Sequence, residues 1–178
     1  MKTGCFTRFA ATICAFALAA PALAQDKLKI ATGQRGNWDT SVGEIGQRAG
    51  IFKKHNLELE ILYTQGGGET QQAVISGAVD IGIAAGTVGA MSVYSKGAPV
   101  RIIGAETTGA ADLYWYVRSD STIKSLADTA GKTIAFSTKG SSTDGVVTAF
   151  MREQKLTAKP TSTGSPPATL TQVMSGQI

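Results

Sequence analysis

Residues 65–89 constrain the fold more than any other part of this 178-residue sequence. Three consecutive glycines, Gly66, Gly67 and Gly68, predict a sharp turn, because residues without a Cβ allow conformations and close approaches that other residues do not. Glu69 suits the first turn of the helix that follows, where acidic side chains favour the unpaired N–H groups. The apolar run at residues 81–85 then predicts a strand buried on both faces, as in a parallel sheet.

A second helix start follows this strand, at Gly86 and Thr87. Two helices therefore begin close together in the sequence, each after a glycine. Helix N-termini at the carboxyl edge of a parallel sheet bind anions, since their N–H groups and dipole favour negative charge. The stretch predicts an anion-binding region on an α/β scaffold.

The first 24 residues have the order of a secretory signal peptide. Lys2 and Arg8 form a positive n-region, residues 9–18 form an apolar h-region, and Ala-Leu-Ala at residues 22–24 forms a cleavage site. The apolar run is too short to span a bilayer with normal flanks. We therefore expect export to a bacterial periplasm, with cleavage after Ala24.

Composition excludes several classes of function. Both cysteines, Cys5 and Cys14, would leave with the signal peptide, so the mature chain is expected to have no disulfide and no thiolate chemistry. The formal net charge of +4 comes without a basic block, which argues against nucleic acid as a partner. His55, the only histidine, is expected at the end of a helix, since no paired nucleophile accompanies it. A catalytic role for His55 is the alternative.

The rest of the chain alternates strand-like and helix-like segments, which predicts an α/β fold with a mostly parallel sheet. Before residue 118 the predicted strands are residues 27–32, 57–64, 81–85, 100–105 and 113–117. The helix that begins at Gly86 is predicted to direct Val88, Met91 and Tyr94 toward the sheet.

A polar segment at residues 118–131 marks a boundary. The strand predicted at residues 132–137 then begins the same strand–turn–helix design again, with a helix that runs to about Gln154. Residues 155–167 are predicted to be a loop and residues 168–175 a further helix. The repeated design suggests a second lobe.

Four segments, in this order, resemble one known family. Residues 44–61, EIGQRAGIFKKHNLELEI, resemble its first helix and second strand, and residues 66–82, GGGETQQAVISGAVDIG, resemble its glycine turn, helix and next strand. Residues 126–137, LADTAGKTIAFS, resemble the start of its second lobe, and residues 166–178, PPATLTQVMSGQI, the matching helix of that lobe. The family is that of the periplasmic solute-binding proteins of ABC importers, in the NMT1-like branch that binds nitrate, sulfonates, taurine and thiamine precursors.

The resemblance implies a two-lobed α/β fold of the type II periplasmic-binding-protein kind, with mostly parallel sheets. Residues 25–118 would form lobe one and residues 119–178 the start of lobe two. Ser-Gly-Ala-Val-Asp at residues 76–80 precedes a strand in lobe one, and Ser-Gly-Gln-Ile at residues 175–178 repeats this pattern and stops before the aspartate. We therefore expect a C-terminally truncated chain whose second lobe is incomplete.

The resemblance also implies a ligand in the cleft between the lobes, at loops outside the carboxyl ends of the strands. Backbone N–H groups, hydroxyls and helix ends suit an oxyanion there, with Arg35 or Lys139 as a full positive charge and Trp38 against an apolar tail. The candidate ligand-binding residues are Arg35, Gly36, Asn37, Trp38, Gly67, Gly68, Gly86, Thr87, Thr107, Thr108, Ser141, Ser142 and Thr143. The alternative for any one of them is an ordinary helix cap or turn.

The implied function is the extracytoplasmic solute-binding component of an ABC importer. Such a component captures a small organic or inorganic anion and delivers it to a membrane permease. We expect a monomer that is not an enzyme and that requires no cofactor and no metal. A precursor-synthesis enzyme or a ligand-sensing module on the same fold are the alternatives, and nitrate, sulfonates, taurine, aromatic carboxylates and pyrimidines all remain candidate solutes.

The signal-peptide pattern makes a direct prediction about the mature N-terminus. Expressed in a bacterium with its leader, the protein should be recovered from the periplasm beginning at Gln25, intact or cyclised, because the small residues at positions 22 and 24 mark the cleavage site. Intact-mass spectrometry measures this. A mature protein that retains Met1 would contradict it.

Overall fold

A computed structural model of the protein describes residues 25–107 and 113–178. The predicted signal peptide, residues 1–24, and the candidate residue Thr108 lie outside the described residues. The helices and strands, in chain order, are β1 (Asp26–Thr32), α1 (Val42–Arg48), β2 (Leu57–Tyr63), α2 (Gly67–Ile75), β3 (Ile81–Gly82), α3 (Thr87–Ser95), β4 (Thr133–Phe136), α4 (Ser142–Glu153), β5 (Lys159–Ser162) and α5 (Pro166–Met174). Short 3₁₀ helices lie at Asp39–Ser41, Phe52–His55 and Leu126–Thr129.

The described strands form two parallel sheets. The first has the order β2-β1-β3, and the second pairs β4 with β5. A helix connects each strand to the next one along the chain within each sheet, as parallel strands require. The predicted α/β class with parallel sheets is therefore confirmed.

The first core forms around β1, because this strand has a neighbour on each side and α2 against it. Ile30 and Ala31 are 2% and 0% exposed, and Leu59 and Val79 are also buried. The second core consists of Ile134, Phe136, Val147 and Ala158, with Trp115, Met151 and Leu156 packed against it. Each sheet thus has its own apolar centre.

The two sheets use the same hydroxyl bridge to fix a helix start against a strand end. Thr64, just after β2, donates to the carbonyl of Thr32 and lies 2.8 Å from the hydroxyl of Thr70 in α2. Thr163, just after β5, donates to the carbonyl of Phe136 and lies 2.6 Å from the hydroxyl of Thr169 in α5. Hydroxyl groups therefore fix the position of each helix start relative to the strand end before it, and the same arrangement occurs in both sheets.

Two predicted strands are wrong. Residues 100–105 and 113–117 are irregular, and Ile103 is 79% exposed. A strand forms only where a neighbour pairs with its backbone, and no described segment pairs with either one. Trp115 instead makes its contacts through the side chain: its indole donates to the carbonyl of Ala135 at 2.8 Å, and its ring packs edge-on against Phe150.

Three further expectations also need correction. β3 ends at Gly82 and is only partly buried, because Ala84 turns the backbone into the left-handed region at φ 54°. Residues 155–167 contain β5, whose Pro160 is tolerated because, among the described strands, β5 pairs only with β4 and is an edge. Val88, Met91 and Tyr94 do not face the sheet, since each is at least 60% exposed.

Within the described ranges, no helix has both the length and the apolar character needed to cross a bilayer. The longest helix in the described part of the chain, α4, has twelve residues, far fewer than the roughly 20 that a span requires.

The burial of Ile30 predicts a large stability effect. Ile30→Ala should lower the free energy of unfolding by about 2–5 kcal/mol, because it removes buried methylene groups and leaves a cavity at the centre of the first sheet. Ile45→Ala is the matched control, since Ile45 is 60% exposed and its truncation should change stability by less than about 0.5 kcal/mol. Urea denaturation followed by circular dichroism measures both. Equal losses would contradict the assignment of Ile30 to the core.

Candidate functional site

Three helix N-termini meet where the two sheets face each other. We call this region the seam and define it as residues 66–71, 85–89 and 138–142, which include the starts of α2, α3 and α4. The Gly68 N–H donates to the Thr138 hydroxyl at 3.0 Å across the seam. A Cβ placed on Gly86 would lie 2.8 Å from the Ser142 hydroxyl oxygen, so the starts of α3 and α4 also touch.

Two glycines permit this close approach. A Cβ on Gly68 would collide with the carbonyl oxygen of Lys139, and a Cβ on Gly89 would collide with the carbonyl oxygen of Gly140. Real Cβ atoms do not occupy such positions, so any other residue would push the two sheets apart. The seam is therefore a direct backbone-to-backbone contact.

Gln71, which the sequence reasoning missed, lies at the centre of the seam. Its side chain is on α2, the residue is 5% exposed, and its amide donates to the carbonyl of Ala85 beside α3 and, at 3.2 Å, to that of Gly140 before α4. The signal available in the sequence is its spacing. It follows Gly67 by four residues and so shares that residue's face of the helix.

The hydroxyls at the start of α4 are mostly engaged with one another. The Ser141 oxygen accepts from the Asp144 N–H at 3.2 Å and caps the helix, while Thr143 lies 3.0 Å from the hydroxyls of Ser137 and Ser141. The Lys139 ammonium pairs with Asp144 at 3.0 Å. This lysine is therefore matched by a carboxylate of the helix that follows it, α4.

Two candidate hydroxyls differ from this group. Thr87 and Ser142, the first residues of α3 and α4, are both exposed. Neither side chain has a hydrogen-bond partner within residues 25–107 and 113–178. These are the hydroxyls that a solute at the seam would meet.

The structure brings seven of the predicted residues to the seam or next to it and places the others elsewhere. The seven are Gly67, Gly68, Gly86, Thr87, Ser141, Ser142 and Thr143. Arg35 instead packs over the ring of Tyr63 at 3.8 Å and pairs with Glu44 at 3.3 Å, while Gly36, Asn37 and Trp38 continue the same loop. Trp38 is 63% exposed, and Thr107 is also exposed.

One carboxyl group next to the seam, that of Glu106, has a pKa above its ordinary value. Partial burial, and then the negative charge of Asp39, raise the pKa of Glu106, while the backbone N–H of Ala84 acts in the opposite direction. Glu106 therefore keeps its proton to a higher pH than an ordinary glutamate.

Two cavities lie outside the seam as defined by its residues. One of about 740 Å³ borders the second sheet and is lined by aromatic and aliphatic side chains that include Trp115, Ile134 and Phe136. The other, of about 260 Å³, is lined by Arg35, Glu44 and Tyr63 among others. The hydrogen bond from Tyr63 is the largest of the effects that lower the pKa of Glu44 there.

The chemistry available at the seam is hydrogen-bond donation. Backbone N–H groups at helix starts and the hydroxyls of Thr87 and Ser142 stabilise negative charge. In the described part of the chain, no three histidine, cysteine, aspartate or glutamate side chains are grouped so as to hold a metal ion.

Comparison with known proteins gives one family match and several solved structures with a similar fold. The family model described as NMT1/THI5-like matches residues 45–178. A solved structure from Bordetella bronchiseptica RB50 shares 24% identity at a TM-score of 0.61, with 85% of this chain and 49% of that chain covered. No curated protein matches the sequence.

Two further solved structures carry descriptive names. The alkanesulfonate-binding protein SsuA from Xanthomonas axonopodis pv. citri, bound to MOPS, is 20% identical at a TM-score of 0.60, over 85% of this chain and 52% of that one. The periplasmic aliphatic sulphonate-binding protein SsuA from Escherichia coli is 20% identical at a TM-score of 0.50, over 86% of this chain and 52% of that one. These likenesses show the fold, and the chain spans about half the length of the solved structures that it matches. The family match over residues 45–178, together with the shared fold, confirms the predicted resemblance to the NMT1-like branch.

The glycine contacts at the seam predict a steric effect. Gly68→Ala should expose residues 138–142 to faster amide hydrogen exchange, because the new methyl group displaces the carbonyl of Lys139. Gly104→Ala is the matched control, since no described atom lies within 4 Å of a Cβ there. Hydrogen–deuterium exchange with mass spectrometry measures both. Unchanged exchange in Gly68→Ala would contradict the direct contact.

Proposed function

Since the chain belongs to the NMT1/THI5-like family, we propose that it is the extracytoplasmic solute-binding component of an ABC importer, which captures a small anion at the seam. The observation that carries the proposal is the convergence of the starts of α2, α3 and α4. Each helix N-terminus carries about half a positive charge. Three of them directed at one place would favour a small anion without a lysine or arginine.

A sulfonate is the anion that this geometry supports best. It has three equivalent oxygens, and the seam offers three helix starts with hydroxyls at Thr87 and Ser142. Two solved structures of the same fold are named as sulfonate-binding proteins, which supports the choice. Nitrate, which also has three equivalent oxygens, and taurine, a sulfonate that carries an amino group, are the solutes to be compared with a simple alkanesulfonate.

Binding rather than turnover is the proposed role. His55 is exposed just before β2 begins, whereas the seam follows the end of β2. At about 3.3 Å per residue, this seven-residue strand separates the two by roughly 20 Å. The only histidine is therefore at the opposite edge of the sheet from the proposed site. The partner proposed for the whole protein is a membrane permease, and its proposed location is the periplasm.

The proposal predicts where a sulfonate will perturb the protein. Titration with ethanesulfonate should shift the backbone amide signals of Gly68, Thr87 and Ser142 in nitrogen–proton correlation spectra, with a dissociation constant on the order of 1 mM. We expect weak binding because the Gly68 N–H already has an internal acceptor. Ethyl methyl sulfone is the matched control ligand, since it has two sulfonyl oxygens and no charge. Shifts no larger than those given by sodium chloride at equal ionic strength would refute the proposed function.

Paired variants test the hydroxyl contacts. Ser142→Ala and Thr87→Ala should each weaken ethanesulfonate binding by roughly tenfold, because each removes a hydrogen bond to a charged ligand worth about 1.5–3 kcal/mol. Ser92→Ala, on the exposed side of α3, should leave the dissociation constant unchanged. Equal affinity in all three variants would remove Thr87 and Ser142 from the site.

A further inference from the structure

The donors at the seam are occupied by the protein itself. The Gly68 N–H donates to the Thr138 hydroxyl, and the Gln71 amide donates to the Gly140 carbonyl, both across the seam. We propose that residues 138–142 act as a built-in competitor for the solute and that Gln71 is the latch that holds the two sheets together when no solute is bound. The competition with solute rests on the proposed function, whereas the latch does not.

The geometry of Gln71 suits a latch. The residue is 5% exposed, and its bond to the Ala85 carbonyl fixes the orientation of the amide within the first sheet's own structure. The same nitrogen then reaches the Gly140 carbonyl at 3.2 Å. The side chain therefore loses little further freedom when the sheets come together, because it is already ordered by its neighbour.

The fit around this bond is steric as well as polar. Gly89 lets the Gly140 carbonyl approach α3, so the loop lies against a surface that has no side chain there. A Cβ on Gly89 would also meet the Gln71 amide, which shows that the amide, the glycine and the carbonyl occupy one small volume. The Gly140 carbonyl therefore separates from the Gln71 amide and from Gly89 at the same time when the seam opens.

The latch consists of neutral groups. Every ion pair among the described residues lies within one side of the seam, as Lys139 with Asp144 does, and none crosses it. Neutral hydrogen bonds are not screened by salt, whereas the attraction of an anion to helix starts is. Added salt should therefore weaken solute binding without opening the seam.

Distance measurement tests the latch directly. Spin labels at Lys54→Cys and Arg152→Cys report the separation of the two sides, because both positions are exposed and lie on opposite sides of the seam. Cys5 and Cys14 are replaced by serine so that only these sites react. Pulsed electron resonance on the otherwise unchanged chain should give one dominant short distance, and that distance should persist in 0.5 M sodium chloride.

Two variants should open the seam. Gln71→Leu keeps the size of the side chain and removes the amide, and Thr138→Val removes the acceptor of the Gly68 N–H without altering α2. Each should lower the ratio of closed to open distances by roughly fivefold, the effect of one neutral hydrogen bond. Gln72→Leu is the matched control, since this neighbour on α2 is exposed, and its distances should equal those of the parent. Circular dichroism melting confirms that each variant is folded.

The outcomes separate the latch from the proposed function. Folded Gln71→Leu and Thr138→Val proteins that show the parental spin-label distances would overturn the latch, whether or not they bind ethanesulfonate. If Gln71 and Thr138 do keep the seam closed, Thr138→Val should bind ethanesulfonate several-fold more tightly than the parent, because the Gly68 N–H loses its internal acceptor and becomes available to the anion. Unchanged or weaker binding in Thr138→Val would overturn the competition. Failure of every variant to bind any anion, with distances as expected, would refute the proposed function and leave the latch standing.

Discussion

The two sheets meet through backbone atoms, and this contact depends on the absence of a side chain at Gly68 and Gly89. The carbonyl oxygens of Lys139 and Gly140 occupy the volume that a methyl group would fill. A layer of side chains between the sheets would move α4 away from α2 and α3. Their partial charges would then act on different places instead of one, and the proposed anion site would lose its main source of attraction. The whole arrangement of the seam follows from these two positions.

Hydroxyl bridges fix a helix start against a strand end in both sheets, and the one at α2 lies next to the seam. Thr64 with Thr70, and Thr163 with Thr169, join the end of a strand to the first turns of the next helix in each sheet. Both places expose backbone groups that regular structure leaves unpaired, and a threonine hydroxyl can donate to one group while it accepts from another. In both sheets, therefore, a pair of threonine hydroxyls connects the unpaired backbone groups of a strand end and a helix start.

Local signals in the sequence were enough to predict the glycine turn, the starts of α2, α3 and α4, and the α/β class. Features that depend on distant partners were not predictable in this way. Residues 100–105 have strand propensity but no described neighbour, and residues 159–162 have a loop-like composition but pair with β4. Gln71 is polar and unremarkable in its own segment, and its role emerges only when Gly140, about seventy positions later, lies beside it. The hydroxyls of Ser141 and Thr143 were correctly placed near a helix start, although the sequence could not show that they bond to each other.

The exposure of the Thr87 and Ser142 hydroxyls has a consequence for how such a protein changes over evolutionary time. Thr87 and Ser142 are exposed, and their hydroxyls have no hydrogen-bond partner among the described residues, so these hydroxyls do not hold α3 and α4 in place. Substitutions at these two positions can alter which solute is preferred while the scaffold stays intact, since exposed changes away from caps and cores cost little stability. Ligand preference and foldability are thus encoded in separate sets of residues, and selection can change the preferred solute without lowering the stability of the fold.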